Sequence, residues 1–224
     1  WRGQMMVTLG FALASAAVAG LLRLPWLDIA TAGVIGLLIG GLALAAQSRP
    51  RLHESFEALA GLLAGAVAIL VSSFVGPLNL NTVIIAAVIV LLPGMMLALS
   101  TNELTSRHLV SGTARFAGVL MIIVCLTIGI AIAFGLAEVA GIEPQVRALR
   151  PQPEWVVWGA VGLAAYAFAV LFQAGRRDYP LVMGSVIAGY LISRFSGEWL
   201  GPIAGVFLAA LAATAAGNAY ARWF

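Results

Sequence analysis

The chain has 224 residues, of which 62% are hydrophobic and only 9% are charged, with a formal net charge of +3. Its mean hydropathy is +1.04. A soluble globular domain carries about 25% charged residues, so this composition excludes a water-soluble fold and predicts an integral membrane protein. All the basic residues are arginines spread over short loops, a distribution that gives no support to nucleic-acid binding.

The apolar residues form blocks of about 20, the length that a helix needs to cross about 30 Å of hydrocarbon. A β-barrel would instead show short alternating segments, whereas runs such as 83–92 are apolar on every side. We therefore predict an all-α fold, a polytopic bundle of transmembrane helices. The predicted spans number about eight, at residues 5–22, 27–46, 55–75, 81–100, 115–138, 155–174, 180–195 and 199–219.

One long connection, rich in proline and arginine, divides the spans into two groups. We expect a first transmembrane unit of five spans at 1–140, a connecting loop at 141–154, and the first three spans of a second unit at 155–224. Connections between membrane helices are otherwise short and carry Gly and Pro.

The two groups show weak internal similarity. Residues 26–36 resemble residues 177–189, since each segment follows one span and opens the next with a Gly-, Val- and Ile-rich stretch. A five-span unit that is duplicated must be inverted in its second copy, an architecture common in transporters. The alternative is that helices of similar composition resemble one another without duplication.

The orientation follows from the arginines, because cytoplasmic loops are enriched in Lys and Arg. We expect the amino terminus in the cytoplasm, since eight arginines fall on its side of the membrane and four on the other. The eight are Arg2, Arg49, Arg51, Arg107, Arg115, Arg176, Arg177 and Arg222, and the four are Arg23, Arg147, Arg150 and Arg194.

The fourth predicted span contains Pro93 followed by Gly94. Proline removes a backbone donor and clashes with the preceding turn, so we predict a kink or break at this point. Backbone groups freed at membrane depth are tolerated only where protein or a water-filled cavity satisfies them, and broken helices build substrate sites in transporters. The alternative is an ordinary kink that only shapes helix packing.

A polar stretch follows the predicted break, and it supplies the other candidate substrate residues, Ser100, Asn102, Glu103 and Arg115. We expect Glu103 to pair with Arg107 at a spacing of four residues on one helix face. For Arg115, which opens an apolar run, three roles remain open. It could bind a substrate carboxylate, pair with Glu103 or extend to the membrane interface.

Glu57 is the preferred acid for proton coupling, together with Glu103, because it is predicted to lie about one turn inside its span. A carboxylate stabilised by the helix dipole is the alternative for Glu57. His53 and His108 lie in separate loops, and Cys125 is the sole cysteine, so we expect neither a metal site nor a disulfide. Four further acids lie near span ends: Asp28, Glu138, Asp178 and Glu198.

Pairs of glycines at four-residue spacing, Gly36 with Gly40 and Gly61 with Gly65, predict close packing between helices. Catalytic signatures such as G-x-S-x-G, Walker A and H-E-x-x-H are absent from the sequence. We therefore expect neither an enzyme nor a cofactor.

The central block resembles the threonine/serine exporter family. The block comprises residues 91–94 with their Pro-Gly motif, the acidic segment 102–104, and residues 108–115 with a Gly-x-x-Arg element. Residues 172–178 and 217–222 resemble the beginning of the family's second membrane half.

This resemblance implies ten spans in two halves, a cytoplasmic domain before the first span, and proton-driven export of small hydroxy amino acids across the bacterial inner membrane. The sequence lacks that domain and reaches Phe224 before a second Pro-Gly motif, so we expect a fragment truncated at both ends. The expected partners are an amino-acid substrate, protons and lipid, and a homo-oligomer is left open.

Two hypotheses from different classes thus explain the sequence. The first is a secondary exporter with its substrate site at Pro93 and Gly94. The second is a non-transporting membrane scaffold or assembly subunit with a dry, fully packed interior. A channel is a third possibility, although the sequence shows no filter-like ring of carbonyls or charges.

Overall fold

The computed structural model describes residues 2–147, 151–175 and 177–223, and over these ranges the fold is helical without a strand. A single isolated bridge joins Leu78 to Val146 in parallel. The predicted fold class, a helical transmembrane bundle, is confirmed.

Ten α-helices follow one another in the described ranges. They are α1 (Arg2–Leu21), α2 (Trp26–Gln47), α3 (Pro50–Glu54), α4 (Phe56–Phe74), α5 (Leu80–Val88), α6 (Gly94–Thr105), α7 (Leu109–Val139), α8 (Glu154–Leu171), α9 (Tyr179–Leu200) and α10 (Pro202–Trp223).

Each of the eight predicted spans coincides with one helix or, for the fourth, with the pair α5 and α6. Helices α2, α4, α7, α8 and α10 are each long and apolar enough to cross a membrane, and the bent pair adds a sixth such segment. Helix α1 is apolar but shorter over Met5–Leu21. Helix α9 carries Arg194 and Glu198, which lower its hydropathy.

Small residues bring the helices of the first unit close together, as the glycine pairs predicted. A β-carbon at Gly36 in α2 would lie 2.7 Å from the Phe11 carbonyl oxygen of α1, and one at Gly65 in α4 would lie 2.7 Å from the Ala133 β-carbon of α7. At Gly129 in α7 the added carbon would overlap the Ala58 carbonyl oxygen of α4.

One polar contact fixes α1 against α5 inside this core. The Ser15 hydroxyl, which is fully buried, donates to the Ala87 carbonyl oxygen at 3.0 Å. Ala87 lies in the last turn of α5, where carbonyl groups lose their helical partners. The contact therefore satisfies backbone that the end of α5 leaves free.

Helices α1 and α8 run antiparallel, and glycines of α1 allow their close contact. A β-carbon at Gly10 would lie 3.2 Å from Leu171, and one at Gly20 would lie 2.8 Å from Ala160. Helix α9 packs on α8 and α10, whereas α10 packs mainly on α9 and leaves most of its surface exposed.

Candidate functional site

The helix predicted to span residues 81–100 is broken at Leu92 and Pro93, two residues that we call the helix break. Helix α5 tightens into a 3₁₀ turn over Ile89–Leu91, and the axes of Leu80–Leu91 and Gly94–Thr105 differ by 63°. The break predicted from the Pro-Gly sequence is confirmed.

The backbone at the break has a defined conformation. Leu92 is extended at φ −66° and ψ 127°, as the residue before proline prefers. Pro93 has φ −80° and ψ 53°, and the Gly94 amide donates to the Leu92 carbonyl at 2.8 Å. These values describe an inverse γ-turn centred on Pro93.

The helix break divides its span into two halves. The segment Leu80–Leu91 advances about 18 Å at 1.5 Å per residue, against a hydrocarbon thickness of about 30 Å, so this half alone is too short to cross a membrane. Leu92 keeps 43% and Met95 keeps 71% of its surface exposed, so the break lies outside the buried core of the bundle.

Two backbone amides point out of the first turn of α6. Pro93 precedes this helix and supplies no side-chain cap, and its carbonyl accepts the Leu97 amide at 2.9 Å. In the described part of the chain, the Met95 and Met96 amides have no hydrogen-bond acceptor. Such a helix start, with free N–H groups and the positive end of the helix dipole, favours a carboxylate.

A cavity of about 430 Å³ adjoins the break, within the usual size range of small-molecule sites. Its walls come from α1, from both sides of the break and from the end of α8, so the break forms one side of it. The lining residues are Val7, Phe11, Ile89, Val90, Leu92, Pro93, Gly94, Met95, Met96, Phe168, Leu171 and Phe172.

The structure brings Pro93 and Gly94 to this cavity and places the other predicted substrate residues further along α6 and α7. Ser100 is fully buried, and its hydroxyl donates to the Leu97 carbonyl at 2.8 Å. Asn102 is exposed. None of Ser100, Asn102, Glu103 and Arg115 lines the described cavity wall.

Glu103 and Arg115 contact each other across the turn between α6 and α7. The Arg115 Nε atom donates to Glu103 Oε1 at 2.8 Å, while Glu103 Oε2 is buried without a hydrogen-bond partner among the described residues. Of the three roles open for Arg115, the structure shows the pairing with Glu103. The close approach depends on Gly112, where a β-carbon would lie 2.8 Å from Leu104.

A comparison with known protein families identifies the chain. The family model described as "Putative threonine/serine exporter" matches residues 2–137. The chain belongs to the threonine/serine exporter family. No curated protein and no solved structure matches the sequence.

The match to the threonine/serine exporter family covers α1 through most of α7. It therefore includes the helix break, its cavity wall from α1, and the pair Glu103 and Arg115. The resemblance drawn from the Pro-Gly and Gly-x-x-Arg elements is confirmed for this part of the chain.

The predicted pairing of Glu103 with Arg107 is wrong for this exporter-family chain. Helix α6 ends at Thr105, and Arg107 adopts a left-handed conformation with φ 63° in the turn before α7. A spacing of four residues brings side chains together only within one helix. In the described structure Glu103 pairs with Arg115 instead.

Glu57 is the second residue of α4 and is half-buried. Among the described residues it forms no ion pair and no contact with Glu103, so its role in proton coupling stays a prediction. Asp28, which has no exposed surface, is more buried than Glu57. No cluster of metal-ligating side chains occurs in the described ranges.

Sequence reasoning missed two features of this exporter-family chain. The aromatic walls of the cavity, Phe11, Phe168 and Phe172, come from spans far apart in sequence. Asp28 is held by Asn79 from α5, whose amide and side-chain nitrogen both donate to Oδ2. An acid in the first turn of a predicted span was the available signal for Asp28.

Proposed function

We propose that this protein is a secondary active exporter of small neutral hydroxy amino acids, threonine and serine, and that export is coupled to protons. Membership of the threonine/serine exporter family supports the amino-acid substrate. The observation that carries the proposal is the helix break beside a cavity of about 430 Å³.

The cavity suits the two ends of a small amino acid. The free amides of Met95 and Met96, at the positive end of α6, would receive the substrate carboxylate. Carbonyl groups released at the break would accept hydrogen bonds from the ammonium and hydroxyl groups. The aromatic walls would exclude water and restrict the size of the side chain that enters.

Arg115 is a second partner for the carboxylate. Its contact with Glu103 uses Nε, and 47% of its side-chain surface is exposed, so the remaining donors can reach a ligand. Arg115 also lies one helical turn before Gly118, where a β-carbon would be 3.6 Å from Met96 in the cavity wall. Ser100, Asn102 and Glu103 are the further polar residues of α6 in this proposal, with Ser100 buried and Asn102 exposed.

Protons are the proposed coupling ion, with Glu57 and Glu103 as the acids that exchange them. The buried Oε2 atom of Glu103, which has no hydrogen-bond partner among the described residues, supports this role as a position that can receive a proton. Glu57 is half-buried and forms no ion pair among the described residues, so its carboxyl group is available for the same role.

The proposed orientation has the amino terminus in the cytoplasm, as the arginine distribution indicates. We also propose that α8 begins an inverted repeat of α1. The antiparallel contact between these two helices supports this relation, because corresponding helices of an inverted repeat cross the membrane in opposite directions.

The scaffold alternative predicts a dry, fully packed interior, and the exporter predicts a polar cavity that reaches Pro93 and Gly94. The open volume at the break supports the exporter, while the lining side chains are apolar, so the polar groups of the proposed site are those of the backbone.

Proteoliposomes test the proposal. The full-length protein is reconstituted, the vesicles are loaded with radiolabelled threonine, and efflux is followed after a proton gradient is imposed. We expect efflux from the wild type and its loss in Pro93→Ala/Gly94→Leu and in Arg115→Gln. Gly135→Ala is the matched control, because no atom lies within 4 Å of a β-carbon at that position. Unchanged efflux in the test variants would remove these residues from the mechanism.

A further inference from the structure

Asp28 is a buried carboxylate whose two oxygens have different surroundings. It lies in the first turn of α2 and has no exposed surface. Oδ2 accepts the Asn79 backbone amide at 3.1 Å and the Asn79 side-chain nitrogen at 2.9 Å. Oδ1 is equally buried but has no hydrogen-bond partner among the described residues.

Asn79 connects this carboxylate to the broken span. It is the residue directly before α5, and its own side chain does not cap that helix. The Asp28 carboxylate instead accepts the amide of Asn79 itself and so fixes the residue at which α5 begins. Asp28 thus holds the start of the half-helix whose far end is the helix break.

The connection between α7 and α8 covers this end of the bundle. Leu78 donates its amide to the Gln145 carbonyl at 3.1 Å and accepts the Arg147 amide at 3.0 Å. The Ser72 and Ser73 hydroxyls donate to the carbonyls of Gln145 and Glu143 at 2.7 and 3.1 Å. These contacts hold the loop over the turn that carries Asn79.

The charged residues at this end leave Asp28 without a countercharge. In the described structure Asp28 forms no ion pair. The Arg23 Nε atom donates to the Gln152 carbonyl at 2.7 Å. The other charged side chains on the elements that pack here are exposed, namely Glu138, Glu143, Arg147 and Glu154.

The geometry leaves one polar atom of Asp28 without a partner. Oδ2 has two donors, whereas Oδ1 is a buried acceptor without a donor among the described residues. Burial of a polar atom without a hydrogen bond is costly. Acids inside membrane proteins are often functional and serve in proton relays.

We propose that Asp28 is a proton-binding site of this transporter, with the proton carried on Oδ1; this inference rests on the proposed function. Protonation forms an O–H bond at Oδ1 and removes the negative charge that Asn79 contacts through Oδ2. The hydrogen bonds to the start of α5 become weaker, since charged acceptors bind more strongly than neutral ones. Proton binding at one end of α5 is thereby coupled to the substrate site at its other end.

A sodium ion is the competing occupant of this position. It would need several oxygen ligands around Oδ1, and the described structure shows no second unpartnered side-chain oxygen beside Asp28. We therefore assign the proton, and a sodium ion is an outcome of the test below.

Two transport assays in proteoliposomes test the Asp28 site separately from the exporter function. Threonine counterflow without an ion gradient reports substrate binding and movement, and efflux under an imposed proton gradient reports coupling. For Asp28→Asn we expect counterflow to persist while acceleration by the proton gradient falls about tenfold, within the usual range of coupling between sites. Glu143→Gln, an exposed acid on the covering loop, is the matched control and should behave as the wild type.

The outcomes are distinct. If the wild type gives neither counterflow nor gradient-driven efflux, the exporter function fails. If the wild type transports and Asp28→Asn keeps the full response to the proton gradient, the Asp28 site is overturned while the exporter stands. If a sodium gradient drives efflux and Asp28→Asn abolishes that response, the proton assignment is overturned.

Asn79→Ala gives a second measurement that does not require removal of the acid. It removes one donor to Oδ2, so the carboxylate form loses stability and the pH profile of efflux should move to higher pH. A purely structural role for Asn79 would lower the rate without moving the profile, and an unmoved profile would overturn the inference.

Discussion

The side chains of Arg115 and Glu103 join the first turns of α7 to the end of α6, with Nε and Oε1 2.8 Å apart. The pair closes a helix hairpin whose other half leads to the helix break. Because Oε2 of Glu103 is buried and unpartnered, the carboxylate is more constrained than a surface acid. Arg115, in contrast, keeps 47% of its side-chain surface exposed.

Two variants of this pair distinguish its contribution to stability from its contribution to substrate binding. We expect Glu103→Gln to lower stability by only about 0.2 to 1 kcal/mol, the usual value of an exposed ion pair. The double variant Glu103→Arg/Arg115→Glu should keep the folded state but lose threonine efflux, because it moves the cation away from position 115 on α7. Thermal unfolding in detergent and proteoliposome efflux measure the two effects. Full efflux in the exchanged variant would show that the pair serves only packing.

The contact between α4 and α7 predicts a sharp difference between two glycines of α7. A side chain at Gly129 would overlap the Ala58 carbonyl, whereas Gly135 has no atom within 4 Å of an added β-carbon. We expect Gly129→Leu to lower stability by about 1 to 3 kcal/mol through overpacking, and Gly135→Leu to have little effect. Equilibrium unfolding in mixed detergent micelles measures both, and equal losses would contradict the packing described.

The buried hydrogen bond between α1 and α5 gives a smaller effect. Ser15→Ala removes the donor to the Ala87 carbonyl and should cost about 1 kcal/mol of stability. Ser185→Ala is the control, because Ser185 is exposed and its hydroxyl bonds only within its own helix. The same unfolding experiment compares the two variants. A Ser15→Ala protein as stable as the control would argue against the contact.

The proposed orientation predicts which residues face each side of the membrane. Cys125 is replaced by Ala, and single cysteines are introduced at the exposed positions His53 and Glu143. A membrane-impermeant thiol reagent should label Glu143→Cys in intact cells and His53→Cys only after permeabilisation. The reverse pattern would place the amino terminus outside.

Local features of the sequence predicted the helices and the break correctly. Hydropathy alone located the eight segments, since each apolar block is long enough to define its own helix. The geometry at Pro93 followed from the missing amide of proline and from its effect on Leu92.

Features that depend on distant contacts could not be predicted in the same way. Helix α6 ends before Arg107 because Arg107 adopts a left-handed backbone conformation. The residues around Arg107 do not predict that conformation. In the sequence, Asp28 looks like any other acid at the end of a span. Its hydrogen bond to Asn79, 51 residues away, is visible only in the folded structure. The cavity likewise requires α1, α8 and the break to meet.

The contact between α1 and α8 sets how close the two helices can come. Gly10 lies against Leu171 and Gly20 lies against Ala160, so glycine on α1 makes room for the side chains of α8 near both ends of the contact. A larger residue at either glycine would push the helices apart. Two glycines thus fix the spacing between the family-matched part of the chain and the helix that follows it.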